Sequence, residues 1–209
     1  MEWIPNYEPN VFKNEVPVFK EDMESLFKKH KVYVFGYGSL LYPDGWRGRW
    51  MKKPPMAGKL IECRVHGFER GPWGIYDSRN YYGIIPKEGS VVNGVVTRIW
   101  SLSDWVSLMS TEMIAGLYRF ANYRVVDVTD SITDWPKKPK SARIHCVMNQ
   151  PKNRELVLKT FPANSYYDRV WNGVQNYRTP AFTKEFLELG GFKNTMEAHV
   201  FIDNKRRGV

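Results

Sequence analysis

The chain has 209 residues, 43 % hydrophobic and 25 % charged, the proportions of a globular protein rather than a disordered, collagen-like or coiled-coil one. Its 31 basic and 22 acidic residues leave a net charge of +9. That balance favours anionic partners, but no nucleic-acid recognition signature accompanies it.

Residues 1–15, with Pro5 and Pro9, read as an extended arm. Phe19, Met23, Leu26 and Phe27 recur at helical spacing and predict a short amphipathic helix over 18–29. Val32–Phe35 predicts a buried strand that runs straight into Gly36-Tyr-Gly-Ser-Leu-Leu41, with Pro43, Gly45 and Gly48 marking a loop behind it. This is also the longest strongly apolar stretch without a charge, and it is too short for a membrane span. No basic segment followed by an apolar run opens the chain, so a cytoplasmic protein without membrane association is expected.

Further strand-like runs cover 59–66, 81–86, 91–100, 123–128, 142–148 and 197–202. Helices are predicted over 103–115 and 165–177. Another starts at Pro180 behind a Thr179 cap and ends at Gly190. Trp135-Pro-Lys-Lys-Pro-Lys140 reads as a basic loop between strands. Strands in succession predict an α+β fold with a mixed, mostly antiparallel, barrel-like sheet and flanking helices. The expected organisation is an arm and short helix over 1–30 and a single domain over 31–209.

Two cysteines, Cys63 and Cys146, make no disulfide framework and read as buried free thiols. The four histidines are scattered, and nothing argues for a metal site. Basic residues gather over 47–70 and 137–159, where they outnumber acidic ones seven to two and seven to one. A solvated surface explains this, and so does a face for an anionic partner. Trp46, Trp50 and Trp73 read as packing residues, Arg64 and Arg70 as surface residues, and Lys205-Arg-Arg207 as a frayed basic tail.

Two features carry possible chemistry. In Gly36-x-Gly38-Ser39 the glycines let backbone approach a ligand and aim amides at it, a nest for a carboxylate or oxyanion. The same residues also suit a plain tight turn. The pattern lacks the distal glycine of a dinucleotide fingerprint and the lysine of a P-loop, and it is not a nucleophile elbow. The second feature is Glu112, which lies at helical spacing on the apolar stripe of Trp105, Leu108, Met109 and Met113. A carboxylate there is costly unless paired or functional, and a general base is one such function. Escape to solvent, or pairing with Arg119 or Arg124, is the alternative.

Val34-Phe-Gly-Tyr-Gly-Ser-Leu-Leu41 resembles the opening motif of the γ-glutamylcyclotransferase-like superfamily, which includes ChaC-type, γ-glutamylamine-cyclotransferase and AIG2-like proteins. The resemblance continues through Ala57-Gly-Lys-Leu60, Tyr82-Gly-Ile-Ile-Pro86, Val92-Asn-Gly-Val-Val96, Glu112, Tyr118 and Tyr123–Val128, and covers roughly 32–148. Met109 stands where the family often has an Asp three residues before its Glu. The distance from Glu112 to Tyr118 is closer to the γ-glutamylamine branch than to ChaC proteins.

The resemblance implies cyclisation of a small γ-glutamyl compound to 5-oxoproline with release of an amine. Glu112 would be the general acid/base. Tyr37, Gly38, Ser39 and Leu40 would cradle the substrate, and Tyr118 would position substrate or bond Glu112. No metal or cofactor is required. A non-catalytic small-molecule binding module of the same fold and a basic nucleic-acid-binding domain are the alternatives.

Overall fold

A computed structural model describes residues 20–47, 59–112, 123–149 and 152–208. Helix α1 (Lys20–Lys29) leads into strand β1 (Lys31–Gly36), a 3-10 turn (Ser39–Leu41) and the short helix α2 (Pro43–Arg47). A long hairpin follows, β2 (Ile61–Tyr76) and β3 (Arg79–Arg98), then α3 (Leu102–Glu112). Strands β4 (Tyr123–Asp127), β5 (Ile132–Thr133) and β6 (Ala142–Asn149) precede α4 (Asn153–Leu156) and the two-residue β7 (Phe161–Pro162). Helices α5 (Tyr166–Tyr177), α6 (Pro180–Glu188) and α7 (Thr195–Arg207) complete the described chain.

The strands form one curled, mixed sheet in the order β4-β6-β1-β3-β2-β5, with β7 beside β3. β1 runs parallel to β6, with Phe35 opposite Cys146, and antiparallel to β3, with Gly36 opposite Val95. A strand between two neighbours and buried on both faces needs a continuous apolar run. Val32–Phe35 supplies one, every residue being buried.

The predicted α+β class and mostly antiparallel sheet are therefore observed. The hairpin is longer than the predicted strands because its glycines are absorbed within it rather than ending it. Gly67, at φ 86°, sits at a register shift between His66 and Phe68. The turn is Asp77-Ser78, with both residues at positive φ, the geometry that matches the strands' own twist.

One strand expected from the sequence is a helix. Residues 197–202 lie in α7, where the Asn194 side chain accepts from the Glu197 amide at 2.9 Å and the Glu197 carboxylate accepts from the Lys193 amide at 2.7 Å. This reciprocal cap starts a helix that the local alternation of apolar residues conceals. Lys205-Arg-Arg207 forms the last turn of that helix rather than a frayed tail. Arg206 donates to the Leu158 and Thr160 carbonyls, each at 2.8 Å, and cations also suit a helix C-terminus.

Arg70 is likewise no surface residue. β2 runs on past it, carrying it under α6, where it is 5 % exposed. Its guanidinium donates to the Asn93 side chain and carbonyl, and lies 4.4 Å from the Phe186 ring centre. Arg64 stays exposed and pairs with Asp134 and Glu185. Trp46 and Trp73 are buried as packing residues, and Trp50 lies outside the described residues. Both cysteines are buried free thiols. Among the described residues no helix is long and apolar enough to cross a membrane. The arm expected over 1–15 lies outside them.

Candidate active site

The site begins where β1 stops. Gly36 ends the strand, and a Cβ there would meet the Leu40 Cβ at 2.5 Å, so the chain can fold back tightly only with glycine at this position. The 3-10 turn closes through the Leu41 amide donating to the Gly38 carbonyl at 3.0 Å. Two side chains hold the loop. Tyr37 donates its hydroxyl to the Val147 carbonyl of β6 at 2.7 Å, and the buried Trp46 indole donates to the Leu40 carbonyl at 2.8 Å. Gly45 lies against the loop's outer side, where a Cβ would fall 1.6 Å from the Ser39 carbonyl oxygen.

A cleft of about 740 Å³ opens over this loop. Tyr37, Gly38, Ser39 and Leu40 line it, and so does Glu112, the last residue of α3. Three residues of the predicted apolar stripe are described and buried, and Met113 lies outside the described residues. Trp105, Leu108 and Met109 are at most 2 % exposed, while Glu112 is half-buried at the cleft. Glu112 is close enough to β6 for its charge to add to the effect of burial in raising the Cys146 thiol. Tyr118, Arg119 and the remainder of the predicted helix beyond 112 lie outside the described residues, and Arg124 is described only in its backbone.

Aromatic residues build the opposite wall. Tyr82 of β3 is buried. Its hydroxyl accepts from the Phe192 amide at 2.6 Å, and burial is the main cause that raises its phenol above the ordinary value. Tyr166 of α5 packs edge-on to Tyr81 at 5.0 Å. A Cβ on Gly38 would come 2.9 Å from the Tyr166 hydroxyl, so this glycine sets how closely the loop and α5 approach. α5 is itself fixed to the hairpin tip. Tyr167 donates to the Asn80 side chain at 2.8 Å, and Asn80 donates to the Thr160 hydroxyl at 3.0 Å. Behind the wall, burial lowers the Arg70 guanidinium to about 10, and its charge acts on Tyr37, Tyr82 and Tyr166.

Five predicted site residues thus share one cleft. Sequence reasoning missed the rest of the lining, chiefly Tyr76, Tyr81, Tyr166, Arg169, Asn172 and Asn176. The polar residues of the 165–177 helix keep the helical spacing of an ordinary solvent face, so no local signal marks them. Met109, standing where the family often has an Asp, is a core residue of α3.

No family model matches the chain. A protein of Methanocaldococcus jannaschii, named as a γ-glutamylcyclotransferase and candidate RNase, is 34 % identical over 93 residues, covering 41 % of this chain. The match spans only 38 % of that relative's length. Among solved structures, YkqA from Bacillus subtilis aligns over 81 % of this chain and 58 % of its own, at 18 % identity and a TM-score of 0.53. One titled a γ-glutamyl cyclotransferase aligns over 83 % of this chain and 99 % of its own, at 16 % identity and a TM-score of 0.51. At such identities the likeness concerns the fold. The chain has the γ-glutamylcyclotransferase-like fold.

Proposed function

We propose that the protein is a γ-glutamylcyclotransferase-like enzyme that cyclises the γ-glutamyl group of a small γ-glutamyl compound to 5-oxoproline and releases an amine. The observation that carries this reading is the meeting of Glu112 and the 37–40 loop on one cleft. The substrate's own α-amine attacks its γ-carbonyl, so the reaction needs no enzyme nucleophile. Glu112 takes the proton from that amine as the new C–N bond forms, then returns it to the departing nitrogen as the old amide bond breaks. Amides of the Tyr37–Leu40 loop hold the substrate carboxylate or the oxyanion of the tetrahedral intermediate. The tight loop and the aromatic wall bend the substrate so that amine and carbonyl meet. Tyr118, by the family resemblance, positions the substrate or bonds Glu112.

The test is 5-oxoproline release by the purified chain from glutathione, γ-glutamyl-alanine and γ-glutamyl-lysine in parallel. Release from one of them fixes both reaction and leaving group. A folded protein that releases none moves the reading to a binding module with the same cleft.

A second reading has a specific observation behind it. The archaeal relative's name includes a candidate RNase, and this chain carries a net charge of +9 with seven tyrosines, Tyr81, Tyr166 and Tyr177 among them, along the cleft. Bases stack on such rings, and basic residues over 47–70 and 137–159 would meet phosphates. Salt-sensitive retardation of single-stranded RNA in a gel supports this reading, and absence of binding at low salt dismisses it.

A further inference from the structure

One wall of the cleft is polar in a way that the cyclisation does not use. α5 has two faces. Tyr167, Val170 and Val174 are buried in the core, while Arg169, Asn172, Gly173 and Asn176 line the cleft. The cleft residues stand at i, i+3, i+4 and i+7 and so form one stripe. Arg169, Asn172 and Asn176 are exposed there, and among the described residues the Arg169 guanidinium has no ion-pair or hydrogen-bond partner. Among the described residues that line the cleft, Arg169 is the one cation. Of the two lining carboxylates, Glu112 belongs to the proposed chemistry and Asp44 is already engaged within the protein. Behind the tyrosine wall, the buried Arg70 is bonded to Asn93 and the Phe186 carbonyl rather than to a carboxylate, and adds positive potential.

Space and chemistry agree. A cleft of about 740 Å³ has the size of sites for drug-sized ligands, with room for more than a γ-glutamyl group. A guanidinium offers a planar fork that matches a carboxylate, and the neighbouring asparagine amides add donors on the same stripe.

We infer that Arg169 reads a carboxylate on the leaving amine, so that the substrates are γ-glutamyl amino acids or peptides rather than γ-glutamylamines without a carboxylate. This inference rests on the proposed function and names its substrate class. Arg169 is a specificity-determining residue in it, and Asn172 and Asn176 support it.

The test compares γ-glutamyl-alanine with γ-glutamyl-alaninamide, which differ only in that carboxylate, using the full chain and its Arg169→Met and Arg169→Lys variants. The expected result is a preference for the acid of about fivefold in kcat/KM, carried mostly by KM, as befits an exposed charge pair. Arg169→Met brings the acid-to-amide ratio towards one, Arg169→Lys restores part of it, and the preference narrows as salt is raised. Equal rates for the two compounds in the unmodified chain, or a preference that persists in Arg169→Met, overturns the inference and leaves the cyclisation standing. If neither compound yields 5-oxoproline, it is the proposed function that has failed. Titration calorimetry with the same pair then decides. Tighter binding of the acid that Arg169→Met abolishes supports the role of Arg169, and no difference or no binding overturns it.

Discussion

Ile144 and His145 are neighbours on β6, each at most 1 % exposed, yet they belong to different parts of the molecule. Ile144 faces the interior of the curled sheet, where the strands' own side chains, among them Val65, Ile84, Val96, Cys146 and Met148, fill the space. His145 faces α3 and packs edge-on to Trp105 at 5.1 Å, with its Nδ1 unpartnered. On that second face the sheet is covered by helices, and covering by separate elements leaves a gap where they meet. The cleft is that gap, bounded by the β1 loop, the end of α3 and α5. The inner face is a packing solution, and the helix-covered face is where polar groups can meet a ligand.

Substitutions should separate the two faces. The largest effect is expected at Glu112→Gln, which removes the proposed proton carrier while leaving the shape. Loss of about 10³-fold in turnover is expected, with an unchanged melting temperature. On the inner face, Ile144→Ala should cost about 3 kcal/mol in denaturant unfolding, with the KM of the remaining folded enzyme unchanged. A shifted KM there would erase the distinction between the faces.

His145 provides a pH signature for the helix-covered face. Burial, opposed by Asp127, lowers its imidazole from 6.5 to about 4. The unfolded chain therefore binds a proton below pH 6.5 that the folded chain refuses. Stability is full above that pH and falls as pH drops from 6.5 towards 4, by up to about 3 kcal/mol. Urea melts across this range should show the slope, and His145→Leu should flatten it.

Gly45→Ala is expected to cost about 2 kcal/mol and to raise KM, because the added methyl collides with the Ser39 carbonyl of the cradle. Gly38→Ala should be milder for stability, since one obstacle is the hydroxyl end of the Tyr166 side chain at 2.9 Å. Its effect should appear in KM, measured in the 5-oxoproline assay.

Legibility followed the same division. β1 was readable because a strand buried on both faces announces itself as an apolar run, β6 because Ile144 and Cys146 alternate with Arg143 and His145, and the α6 start because Thr179 caps it, accepting from the Phe182 amide at 3.2 Å. The loop and Glu112 were readable because glycines after a buried strand and a carboxylate on an apolar stripe each break a local rule. What escaped was set by tertiary contact. Gly71 and Gly74 look like punctuation but lie within one strand, at a register shift that the sheet absorbs. Arg70 looks like a surface residue until Asn93 and Phe186 close over it. Arg169, Asn172 and Asn176 look like the solvent face of an amphipathic helix, and nothing local tells that this face turns towards the β1 loop.

In the proposed reaction Glu112 moves the proton of a cyclisation performed on the 37–40 loop. The most direct test is 5-oxoproline release from γ-glutamyl-alanine by the unmodified chain and by Glu112→Gln, side by side, with matched circular dichroism spectra. Release by the first and none detectable from the second is the predicted result. Equal release by both would contradict the assignment of Glu112.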